Sequence, residues 1–356
     1  MNLAKNVTGE GALTLTPSDV LLDAGADAEF AELSNLAVGQ GPIGDVAVAG
    51  STLVVTSHGD NGVAVIDADR LSVRATVALG GEPVAAAVAG SRLYVATTSA
   101  SYDSVSVVDT DTQTTAATYP VDLSITALTV SRDGRRLVVG RSGRGRTDIA
   151  ILDTATGAVS AIEVAATAGV VVDALRISPD GARLYAAVSD PHGSDLWVIE
   201  VDTVGVVRTV PIGSPIRDLA VSPDGGTAYV LVCDPRHGGW LDVVDTRAHR
   251  IVATVQIGGF PTQMTLSPDS TRAYVVDRHD VLVICTVTQK VIGTVTVDAL
   301  PACVAASPDG GRLYIADYTG AVTMVVVAPA RTVPPFQAMA RALPGFAEVR
   351  ELEPAV

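Results

Sequence analysis

The chain has 356 residues, with 24 Lys and Arg against 39 Asp and Glu for a formal net charge of −15, and 48% hydrophobic but only 4% aromatic residues. That acidic balance disfavours tracking of phosphate backbones, which needs clustered Lys and Arg, so nucleic acid is set aside as a partner. No apolar run approaches the roughly 18–20 residues of a membrane span, and Cys233, Cys285 and Cys303 form no Cys-x-x-Cys pair, so neither a zinc knuckle nor a disulfide framework is indicated.

Read in chain order, the first residues run into Thr and Gly rather than an apolar segment, which fits a cytoplasmic protein as written, or an extracytoplasmic one if a leader has been removed. Residues 1–28 form an extension with one candidate strand at 12–16. From there a repeat takes over. Strand-like triplets begin at Leu53, Leu93, Leu137, Leu184, Ala228, Ala273 and Leu313, spaced 40, 44, 47, 44, 45 and 40 residues apart. Five are preceded by an explicit turn, such as Ser178-Pro179-Asp180-Gly181 and Ser307-Pro308-Asp309-Gly310. Pro presets φ there, Asp bonds its own backbone and Gly accepts positive φ. The first two copies shorten the turn to Ala49-Gly50 and Ala89-Gly90.

After each triplet come a loop, a third apolar run closing on an acid (Val65-Ile66-Asp67, Val243-Val244-Asp245) and a fourth run such as Ile251 to Val255. Runs of four to eight residues rich in Val, Ile and Thr, bounded by Gly, Pro and Asp, are strands. Four strands per repeat make one propeller blade. The blades fall at about 41–80, 81–124, 125–169, 170–214, 215–259, 260–300 and 301–328. The last has only three strands before Pro329. Asn35-Leu36-Ala37-Val38 resembles the end of a fourth strand, so 29–39 is expected to complete it and remove a sheet edge. The predicted fold is an all-β, seven-bladed β-propeller over 29–329, its last blade closed by an N-terminal strand. A tail at 330–356 carries a candidate helix at 336–343.

The Ser-Pro-Asp-Gly turns, Tyr94 to Thr97 (Tyr-Val-Ala-Thr) and the Val-Val-Asp-Thr stretches at Val107 to Thr110 and Val243 to Thr246 resemble the YVTN repeat of bacterial seven-bladed propellers. The resemblance covers about 41–328. It implies the fold but no single activity, since such propellers include surface-layer proteins, lactonase-like enzymes and parts of redox enzymes. It also implies that the first strand of each blade lines a central channel, and that loops between second and third strands share one face.

On that geometry, four of the five histidines, His58, His192, His237 and His279, fall on one loop rim with Asp60, Asp190, Asp234 and Asp280. Imidazoles there are candidates for a divalent metal, for acid–base work, or for facing water. First-strand positions place Asp45, Arg176, Asp218, Gln263 and Cys303 along the channel, with Asp173 and Arg217 at its mouth. Two readings stand for these charges: an Arg–Asp pair bracing a water-filled pore, or Arg176 and Arg217 gripping a carboxylate or phosphate. The leading expectation is a binding or scaffold propeller whose loop face and channel mouth take a protein partner or small molecule. Its rival is a lactonase-, lyase- or isomerase-type enzyme using His192, His237, His279, Asp173, Arg217 and Asp218.

Overall fold

The computed structural model describes residues 30–39 and 41–327. The strand expected at 12–16 and the helix expected at 336–343 lie outside them. Every regular element among the described residues is a strand, and no helix there is long and apolar enough to cross a membrane. Twenty-eight strands, numbered in chain order, form seven four-stranded antiparallel sheets, and in six of them the strands follow one another in sequence.

The seventh sheet is assembled from both ends of the repeat. Its order is β1 (Phe30–Ala37), β28 (Ala321–Val327), β27 (Arg312–Asp317), β26 (Pro301–Ala306). Asn35 lies opposite Thr323 and donates its side-chain amide to the threonine hydroxyl at 3.0 Å. Just beyond the strand, the N–H groups of Val38 and Gly39 both bond the carbonyl of Gly320. Gly320 has φ +96°, and a Cβ there would lie 2.4 Å from the Gly39 carbonyl oxygen, so this crossing requires glycine.

Burial follows strand position. In the first blade, β3 (Thr52–Ser57) and β4 (Gly62–Asp67) are buried almost throughout, whereas the outer strand β5 (Ser72–Ala78) is mostly exposed. Middle strands face neighbouring blades on both sides and therefore read as continuous apolar runs rather than alternating ones. The core is a set of seams: Val54, Val63 and Val65 of one blade pack on Leu93, Val95 and Val108 of the next. The same packing joins the last blade to the first, where Cys303, Tyr314 and Ala316 meet Leu53, Val55 and Ile66. Fully burying one such Val, Leu or Ile contributes roughly 1.5–3 kcal/mol. Polar stitches reinforce the seams. The Tyr94 hydroxyl donates to the Gly134 carbonyl of the following blade at 3.1 Å, and Tyr314 donates to Ala68 across the closing seam at 2.9 Å.

The repeated turns behave as their residues dictate. Ser178 donates its hydroxyl to Asp180, Asp180 accepts the Ala182 N–H, and Gly181 takes φ +74°. The acids ending the third strands are local caps: Asp67 accepts the N–H groups of Asp69 and Arg70, and ion-pairs with Arg74 at 2.6 Å.

Candidate ligand site at the channel mouth

Seven first strands surround a cavity of about 690 Å³. Each carries a β-bulge near its start, one or two residues after its first paired residue, as between Ile43 and Asp45 or Ile216 and Asp218. A bulge leaves one residue unpaired and re-aims its side chain. The seven bulge residues are Gly44, Val84, Thr126, Asp173, Arg217, Thr262 and Ala302, and all but Ala302 line the cavity. They are the mouth of the channel.

This ring holds opposite charges on adjacent blades. Arg217 is exposed and makes no hydrogen bond or ion pair among the described residues. Asp173 feels its charge, accepts a hydrogen bond from the Ser189 hydroxyl, and is nonetheless pushed above the usual carboxylate range by burial. The Thr126 hydroxyl is buried without a hydrogen-bond partner among the described residues. At the first blade, His58 sits where the bulge residue has no side chain: a Cβ on Gly44 would come within 2.5 Å of His58 Nε2. The other ring nitrogen, Nδ1, lies 2.8 Å from the Glu82 carboxylate, which fixes the imidazole's orientation.

One residue deeper, the polar side chains are committed to the scaffold. Asp45 accepts the Val46 N–H with one oxygen and the Ala86 N–H of the next blade with the other, at 2.8 and 2.9 Å. Asp218 repeats the arrangement with Leu219 and with Met264 of its next blade, and also ion-pairs Arg176 at 2.7 Å. Gln263 accepts the Val304 N–H at 2.9 Å. Burial pushes the Asp45 carboxyl up to about 6, against the pull of its two N–H donors and of Arg176. Cys303 is buried, and burial with the nearby Asp45 and Asp317 carboxylates drives its thiol well up, so it stays protonated.

The remaining histidines do not join the mouth in one cluster. His237 is exposed and bonds Asp234 within its own turn at 2.8 Å, and His279 is exposed on another turn. His192 lines a separate cavity with Asp190 and Asp195. Among the described residues no three His, Cys, Asp or Glu side chains come together as a set that could hold a metal ion. The bulge ring and the partnership of His58 with Glu82 are what sequence reasoning missed. The signal within reach was alignment of the seven first strands, which shows Gly44 as the one glycine among the bulge residues.

No family profile matches the chain. Over 248 residues it is 39% identical to a seven-bladed beta-propeller protein of Mycobacterium tuberculosis, a match covering 59% of this chain and 62% of that relative. A stretch of 69 residues is 45% identical to a seven-bladed beta-propeller protein of Mycolicibacterium smegmatis and covers 19% of each. The chain thus spans less than two thirds of the length of the curated relatives it matches. Among solved structures it resembles a chain of Kuenenia stuttgartiensis hydrazine synthase, with a TM-score of 0.71 and 23% identity over 82% of this chain and 97% of that one. That likeness is one of fold. The fold is a seven-bladed β-propeller.

Proposed function

We propose that this is a YVTN-type propeller that binds a small carboxylate- or phosphate-bearing molecule at its channel mouth, with the surrounding loop face open to a protein partner. The observation that carries the reading is Arg217: a cation with no hydrogen-bond partner among the described residues, set by a bulge on the rim of the 690 Å³ cavity. A guanidinium there offers paired donors to a planar or tetrahedral anion. Asp173 on the neighbouring blade lies within range of its charge, and the unpartnered Thr126 hydroxyl, two blades away, lines the same cavity.

A charge-assisted hydrogen bond contributes about 1.5–3 kcal/mol, so Arg217→Ala should weaken anion binding roughly ten- to a hundredfold. A thermal-shift screen of dicarboxylates and sugar phosphates against both forms tests this. A shift in the wild type that vanishes in Arg217→Ala supports the site, and a shift that persists, or none at all, removes it. Enzymatic chemistry of lactonase, lyase or isomerase type remains the rival, favoured by the Glu82-oriented imidazole of His58 beside the mouth. Lactone turnover by the wild type that is lost in His58→Ala would decide for it.

A further inference from the structure

A second cavity, of about 360 Å³, opens on the loop face beside the fourth blade. Its walls include Val164, Val188, Asp190, His192, Asp195 and Trp197. The preceding blade shows what the same places hold elsewhere. There β11 (Arg136–Gly143) and β12 (Arg146–Asp153) form a hairpin in which Asp148 lies opposite Arg141, and Arg146 opposite Gly143. The carboxylate of Asp148 is buried and doubly paired, to Arg141 at 2.7 Å and Arg146 at 3.3 Å.

In the fourth blade the corresponding hairpin joins β15 (Arg183–Asp190) to β16 (Gly193–Glu200) in the same register. Asp195 takes the place of Asp148, but Val188 stands where Arg141 was, Gly193 where Arg146 was, and Asp190 where Gly143 was. Two cations and one acid have become two acids and no cation. Asp195 makes no hydrogen bond or ion pair among the described residues, and burial together with the Asp190 charge raises its carboxyl. Trp197 replaces Ala150 and gives the cavity an aromatic wall two residues along the strand from Asp195.

We propose that this cavity binds a small organic cation, an alkylguanidinium, which supplies to Asp195 the charge that Arg141 supplies to Asp148. Its head would meet the carboxylate as the guanidinium does in the third blade. Its flat face or alkyl stem would lie on Trp197, where a cation also gains from the ring quadrupole. The site is independent of the channel mouth and shares no residue with it.

Trp197 and Trp240 are the two tryptophans of the chain, so a Trp240→Phe background leaves Trp197 as the reporter. Titration with agmatine should change its emission saturably, and Asp195→Asn should weaken that binding at least tenfold. Butylurea, similar in shape but uncharged, should produce no saturable change. Val188→Arg installs the missing cation opposite Asp195; it should abolish agmatine binding while the variant still folds, shown by an unchanged strand-type circular dichroism spectrum, and it keeps the test open if the Asn variant misfolds. Emission that does not saturate, equal binding in Asp195→Asn, or butylurea binding as well as agmatine overturns the proposal. A capped Gly-Arg-Gly peptide that binds where agmatine does not would overturn it too, because the occupant would then be a protein side chain.

Discussion

Asp45 holds a proton in the folded chain, between about pH 4 and 6, that the unfolded chain has released. Burial in the channel wall raises its carboxyl from 3.8 to about 6. A carboxyl whose folded value is raised gives stability that is complete below its unfolded value and fades as pH rises through the folded one. Its two acceptor bonds, to Val46 and to Ala86 of the next blade, limit the shift without cancelling it. Asp45→Ala removes both the titration and the stitch. The stability gap between wild type and variant should therefore be wider at pH 4 than at pH 7.5, by about 1–3 kcal/mol. Urea titrations of both proteins at the two pH values measure it, and a gap independent of pH would show that the carboxyl titrates normally.

At the scale of single elements, the five explicit turns are near copies, and one of them is strained. Four place glycine at the last turn position with φ between +69° and +74°; the fifth places Ser270 there at φ +53°. An L-residue in the left-handed region costs roughly 1–2 kcal/mol, and the Ser270 hydroxyl is also buried without a partner among the described residues. Ser270→Gly should raise stability by about 1 kcal/mol despite glycine's extra freedom in the unfolded chain, readable as a shifted urea midpoint with an unchanged slope. These turns made the fold legible, because Ser-Pro-Asp-Gly and the triplets after it state the period directly.

The bulges were not legible in the same way. A bulge adds one residue to one strand and changes neither composition nor alternation enough to be seen, so nothing in the sequence shows that Asp45, Asp218 and Gln263 accept backbone N–H groups of the next blade. Asp173 and Arg217 were recognisable at the mouth from their place beside those strands. His58 and Glu82 are 24 residues apart on different blades, a distance over which local patterning carries no information. The charge reversal around Asp195 emerges only when one blade is laid on another.

Across the whole molecule, stability rests on seams between blades rather than on one central core, and each seam leans on its neighbours around the ring. The seam with the greatest leverage is the one that β1 completes. Deleting residues 1–40 removes that strand, exposes the edge of β28 and takes away Phe30, which packs with Val325 and Val327. Such a truncation should melt far below the full chain or aggregate; comparable melting temperatures for the two would show that closure adds little. Circular dichroism of the full chain should be dominated by strand.

The pairing of β1 with β28 also sets an order of events during synthesis. Asn35 and its partner Thr323 are separated by 288 residues, which at 5–20 residues per second a ribosome takes about 15–60 s to traverse. For that whole interval the first strand has emerged without its mate. The nascent chain must carry an unpaired edge, open to neighbouring chains or to a chaperone, until nearly all of the repeat has been made.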